Sequence, residues 1–108
     1  MSLFSEIEVR NFAHARSGDK GVDCNIGVIA FTDEGFLLLQ KVLTADVVAK
    51  HFKVDQVVRY EIPHLKAFNF VLCGALVNPL PIDNQGKAFA EALLALKLPI
   101  SNNRPHGG

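Results

Sequence analysis

The run Arg16-Ser17-Gly18-Asp19-Lys20-Gly21, with Asn25 close behind it, gathers two cations, a carboxylate and a hydroxyl between glycines. Glycine lets a backbone bend where other residues resist, so these groups can be turned toward one point. Consecutive N–H groups around such glycines can form an anion-binding concavity, to which Arg16 and Lys20 would add positive charge. The chemistry expected is capture of the phosphate or carboxylate of a small ligand. Because apolar segments flank the run, Ile7 to Ala13 before it and Ile26 to Phe31 after it, it reads as a polar loop joining two strands. On the residues alone a plainer alternative stays open, a hairpin loop in which Asp19 caps its own turn and the basic side chains are solvated.

Other chemistries find less support. The run lacks the spacing and the Lys-Ser/Thr ending of a phosphate-binding P-loop, and the dinucleotide fingerprint is absent, so no cofactor is expected. Ser17 has no evident base and orienter, which argues against a covalent mechanism. Of the histidines, His51, His64 and His106 are scattered, and His14 alone lies near the run. His14 and Asp19 are therefore the weak candidates for acid–base catalysis, and the catalytic residues, if any, are unassigned. Cys24 and Cys73 have no second Cys or His at chelating spacing and stand in or beside apolar segments, which reads as buried free thiols and not as a metal or redox pair. A Gly-x-x-Gly loop with a Lys also occurs where K-homology domains clamp RNA, but there it joins two helices and here it leaves a strand. Eleven basic residues balance eleven acidic ones, with a single Tyr and no Trp, so neither a nucleic-acid face nor attraction to an anionic membrane is expected.

The elements that must position these groups follow from length and pattern. A chain of 108 residues is one domain, and 49% apolar with 20% charged residues is the balance of a globular protein. Residues 1–100 are expected to form it and 101–108, rich in Asn, Gly and Pro, a flexible tail. No basic leader opens the chain, and the longest apolar stretch, Phe70 to Val77, is far short of the about 20 residues of a membrane span, so a cytoplasmic protein is expected.

Two similar halves are legible. In the first, Ile7, Val9 and Phe12 mark a strand ending near Ala13, and the β-branched run Ile26 to Phe31 marks a second. Thr32 to Gly35 reads as a turn, and Phe36 to Phe52 as a helix broken near Thr44, whose hydroxyl can cap the second segment. Leu37, Leu38, Val42, Leu43, Val47, Val48 and Phe52 are its inward stripe. In the second half, Val57 to Ile62 alternates through Val58, Tyr60 and Ile62 up to Pro63, and Phe68 to Cys73 reads as a buried strand, with a helix as the alternative over residues 64–76. Asn78 to Asn84 is expected to be extended or loop, and Gln85 to Leu96 an amphipathic helix with Phe89, Leu93 and Leu94 on one side and a Lys87–Glu91 pair. Two β-β-α units predict an α+β ferredoxin-like sandwich, or a circular permutation of one, with a four-stranded antiparallel sheet and its helices on one face. Asn25 and Asn69 head equivalent strands, where an asparagine usually satisfies neighbouring backbone groups; two such amides could also meet at one site.

Ala15 to Gly21, Asn25 to Ile29, Val58-x-Tyr60-Glu61-Ile62-Pro63, Ala67 to Leu72 with Gly74-Ala75-Leu76, and Asp83-x-Gln85-Gly86-Lys87 together resemble the AtuA-like domain of acyclic terpene utilisation proteins, in its stand-alone small-chain form. The resemblance covers roughly residues 7 to 97. It implies a ferredoxin-like fold and a role beside a larger AtuA-type subunit, with homo-oligomers as the other partner expected, in catabolism of terpenoid or other acyl-CoA compounds. It further implies a ligand or anion site at Arg16, Ser17, Gly18, Asp19, Lys20, Gly21, Asn25 and Asn69, taking an acyl-CoA or a carboxylate. A small enzyme in its own right and a self-associating structural module are the alternatives. One departure is that Val77-Asn78-Pro79-Leu80-Pro81 stands where relatives carry a glycine-rich run.

Overall fold

Backbone geometry follows the residue types closely in the β-branched and aromatic segments, which pair as a sheet, and departs from them where charged residues also extend. The structure, a computed structural model, describes residues 4–75 and 85–101. In chain order it comprises β1 (Phe4–Glu8), a 3-10 turn (Val9–Asn11), β2 (Ala13–Lys20), β3 (Asp23–Ala30), α1 (Asp33–Val42), α2 (Ala45–Phe52), β4 (Gln56–Ile62), a second 3-10 turn (Pro63–Leu65), β5 (Ala67–Cys73), α3 (Gln85–Leu94) and β6 (Lys97–Ser101). Strands β2-β3-β5-β4 form an antiparallel sheet in that order, and β1 pairs with β6 in a separate two-stranded sheet.

The order β-β-α-β-β-α is a ferredoxin-like β-α-β-β-α-β chain whose closing strand has moved to the front. Strand β2 fills the edge beside β3 that the closing strand would otherwise take. Both expected units are present, and residues 67–73 are strand, not helix.

The helices cover one face. Ile26 and Val28 of β3 and Phe68, Phe70 and Leu72 of β5 are buried beneath them, joined by Phe36, Leu39, Leu43, Val48, Phe89 and Leu93. Phe36 stacks on Phe68 with ring centres 4.8 Å apart. Thr44 caps α2 as its position predicts, accepting from the Val47 N–H at 3.2 Å. Thr32 does the same for α1, accepting from the Gly35 N–H at 2.9 Å, so Asp33 to Gly35 open the helix where a free turn was expected. That start rotates the helix face: Phe36 and Leu39 point inward, and Leu37, expected inside, is 56% exposed. Helix α2 is tied to α3 by the Phe52–Phe89 ring pair at 5.5 Å and by His51 Nε2 donating to the Ala92 carbonyl at 2.8 Å.

Strand β4 carries the largest inversion of expectation. Its apolar series Val58, Tyr60 and Ile62 turns away from the helices, and Arg59 turns toward them. The Arg59 guanidinium donates through Nη1 to the carbonyls of Gln40 at 3.0 Å and Leu43 at 2.9 Å, and through Nη2 to Glu61 Oε2 at 2.8 Å. Glu61 Oε1 in turn accepts from Gln40 Nε2 at 2.8 Å, and the guanidinium lies 5.2 Å from the Phe68 ring centre. The carbonyls left open at the end of α1 are satisfied by a cation, which the helix dipole also favours there.

The first strand is shorter than expected. Extended structure over Ile7 to Ala13 is interrupted by the turn Val9–Asn11, closed by Phe12 N–H donating to the Val9 carbonyl at 2.8 Å and braced by Asn11 Nδ2 on the Glu8 carbonyl at 3.2 Å. The turn buries Val9 against Leu96 and Leu98 and passes the chain from the small sheet to the large one. Exposed Arg10 bonds Glu8 at 2.6 Å, which holds its guanidinium above the ordinary pKa. The last helix ends at Leu94, two residues early, and Lys97–Ser101 form β6, so Ser101 belongs to the fold. The loop expected over Asn78 to Asn84, the Val77 to Pro81 departure and the tail beyond Ser101 lie outside the described residues, as does the Lys87 side chain. Among the described residues no helix is long and apolar enough to cross a membrane.

Replacing Arg59 by Met keeps most of the stem but leaves two helix-end carbonyls and the Oε2 of Glu61 without their donor. Urea denaturation should show a loss of about 2–3 kcal/mol, with the slope of the transition unchanged.

Candidate functional site

The polar run is not a loop. Residues Ala13 to Lys20 pair with Asp23 to Ala30 throughout, and only Gly21 and Val22 form the turn. Gly21 has φ +67°, the conformation that a two-residue hairpin of the Gly-X kind demands at its first position. Next to the turn, Asp23 Oδ1 accepts from the Gly74 N–H at 2.7 Å and fastens the hairpin tip to the end of β5. Because residues 16–20 are extended, their N–H groups do not converge, and the backbone concavity expected there is not formed. Recognition at this place must come from side chains.

Alternation along the strand then divides the candidates. His14, Arg16 and Gly18 lie on the face away from the helices, and Ala13, Ala15 and Ser17 lie on the helix side. Ser17 is thereby separated from Arg16, and its buried Oγ has no partner among the described residues. By register Asp19 stands opposite Cys24 and Lys20 opposite Asp23, and His14 and Asp19 fall in opposite phases of the strand. Gly21 sits at the tip.

On the open face the pairing builds three rows across the sheet. They run His14-Ile29-Ala67-Ile62, Arg16-Gly27-Asn69-Tyr60 and Gly18-Asn25-Val71-Val58. Asn25 Nδ2 donates to Asn69 Oδ1 at 3.4 Å, so the two amides do meet. Gly18 makes room for this: a Cβ there would stand 3.2 Å from Asn25 Oδ1. Gly27 leaves a bare floor between Arg16 and Asn69, where an added Cβ would meet only the Arg16 carbonyl oxygen, at 3.9 Å. Arg16 itself is exposed, and its guanidinium has no partner among the described residues. His14 stacks on Phe31 with ring centres 5.9 Å apart.

The structure thus brings together Arg16, Gly18, Asn25 and Asn69, and adds Gly27 and Tyr60, which the sequence reading did not include in the site. Strand alternation was the available signal, since Gly27 and Tyr60 keep phase with Asn25 and Val58. Of the two cysteines, Cys24 is buried as expected, and Cys73, expected to be buried, is half-exposed beside a cleft of about 460 Å³ lined with Phe52, Lys53, Val54, Asp55 and Gly74. Among the described residues no group of three or more His, Cys, Asp or Glu is placed to hold a metal.

Fold and face together define a ferredoxin-like domain whose second sheet face carries a glycine-floored cluster of Arg16, Asn25 and Asn69. The chain belongs to the AtuA ferredoxin-like domain family, whose model matches residues 7–99. No curated protein and no solved structure matches it.

Two glycine substitutions separate the roles assigned here. Gly21→Ala forces an L side chain into positive φ and should cost about 1 kcal/mol in thermal or urea unfolding. Gly18→Ala should cost less, but it should shift the side-chain amide resonances of both Asn25 and Asn69; unmoved resonances would remove Gly18 from the site.

Proposed function

We propose that this domain is an accessory module of an AtuA-type system, working with a larger AtuA-type chain and contributing an anion-recognising surface to a site completed by another chain. The ligand is a carboxylate or an acyl-CoA of branched or terpenoid type. The observation that carries this is the guanidinium of Arg16, without a partner among the described residues, standing on the sheet beside the bare Gly27 floor and the Asn25–Asn69 amides. A guanidinium supplies paired donors to a carboxylate or phosphate, and the amides supply a donor and an acceptor for a carbonyl next to it.

A flat sheet face does not enclose a ligand, whereas small-molecule sites bury about 70–90% of theirs. Among the described residues nothing walls this face, which favours a module over a stand-alone enzyme. His14 supports the enzyme alternative least, because its ring is stacked on Phe31 at the corner of the face.

The test is co-expression with a larger AtuA-type chain, followed by calorimetry of the purified assembly with a short-chain acyl-CoA. Binding is expected in the assembly, and Arg16→Ala should weaken it by about 1.5–3 kcal/mol, the worth of a charge-assisted contact. Equal affinity of the Arg16→Ala assembly would refute the site, and tight binding by the isolated monomer would restore the enzyme reading.

A further inference from the structure

The open face is more apolar than a solvated sheet face needs to be. An antiparallel sheet with one wet side alternates apolar and polar residues, and strands covered on both sides read as continuous apolar runs. Here Ile29, Val71, Val58, Tyr60 and Ile62 lie on the side that the helices leave open among the described residues, with Ile29 41% and Tyr60 54% exposed, Phe31, at the end of β3, 55% exposed, and Ala67 buried between Ile29 and Ile62. From this pattern we infer that two copies of the chain pack sheet against sheet through this face, with Arg16 of each copy meeting Tyr60 of the other.

The cross-strand rows specify the arrangement. A two-fold axis lying between the sheets and parallel to the strands sets β2 over β4 and β3 over β5 of the second copy, and it lays each row on itself. Gly27 then meets Asn69 and Gly18 meets Val58, a small residue facing a larger one each time. The remaining pair in the central row is Arg16 with Tyr60, a guanidinium against an aromatic ring, which attract each other and leave no carboxylate needed. Aligned sheets cross at about 30°, and at the edge strands, about 7 Å from the axis, the long side chains of Arg16 and Tyr60 span the resulting offset.

Size and charge agree with self-pairing. Four strands about 4.8 Å apart and seven residues at about 3.4 Å cover a plane of about 450 Å² before side-chain relief is added, within reach of the about 800 Å² each partner gives to a standard interface. The balance of eleven basic and eleven acidic residues removes net repulsion between copies. The pairing is argued from the face alone, does not rest on the anion reading proposed above, and is tested without ligand.

Sedimentation equilibrium of the full chain should give a concentration-dependent species of twice 11.8 kDa. Arg16→Glu and Tyr60→Arg should each weaken association by about tenfold to a hundredfold, and the double variant Arg16→Glu/Tyr60→Arg should recover most of that loss, because it restores opposite charges across the axis. Both residues are exposed, so circular dichroism should report an intact fold in every variant. A wild-type chain that stays monomeric at about 100 µM, including one that associates only with a larger AtuA-type chain, overturns the pairing, since a functional homodimer of this size holds far below that concentration. So does a dimer indifferent to both single substitutions, or a double variant without recovery.

Discussion

The Arg59 guanidinium is the fastening on which the two-layer arrangement depends. It satisfies the open carbonyls at the end of α1, holds Glu61 in place and covers the Phe68 ring, so one side chain of an edge strand anchors the junction between α1 and α2. Its side chain is 18% exposed, which removes most of the water that would otherwise weaken these contacts. Because Arg59 must face the helices, Val58, Tyr60 and Ile62 must face away. The apolar character of the open sheet face is thus partly a consequence of how the helices are held.

The same inversion shows what the sequence could and could not disclose. Both β-β-α units, the break capped by Thr44 and the strand over residues 67–73 were legible, because local propensity and capping chemistry agree with the tertiary structure there. The phase of β4 was not, since an apolar alternation of Val58, Tyr60 and Ile62 points to a core face unless a hydrogen-bonding demand overrides it. The polar run reads as a loop because its glycines and charges are the usual signals of one; the fold needs only Gly21 for the turn and uses Gly18 as space for Asn25. Strands β1 and β6 pair residues from opposite ends of the described chain, and Pro99 within β6 speaks against a strand when read locally, so that sheet left no local trace.

Of the candidate site, the composition was legible and the geometry was not. Arg16, Gly18, Asn25 and Asn69 converge on one surface, while Ser17 is carried to the other by the alternation of the strand that holds them all. What gathers the site is the register between β2, β3 and β5, and no spacing within a single segment encodes that. Placed on a fully paired hairpin whose tip is bound to Gly74, Arg16 has little backbone freedom left to lose when it engages a partner.

The central ladder between β3 and β5 also has a kinetic meaning. Within the four-stranded sheet of the described residues it is the pairing that joins the two β-β-α units, since β2–β3 and β4–β5 are hairpins closed within each unit, while β1 and β6 join the two ends of the described chain in a separate sheet. Hairpins form in about 1–10 µs, whereas bringing β3 against β5 closes a loop of some forty residues and sets the entropic barrier. The β3–β5 seam, like the β1–β6 ladder, can close only after distant parts of the chain have met. The Asn25–Asn69 contact lies on that seam and forms only when the halves have found their register.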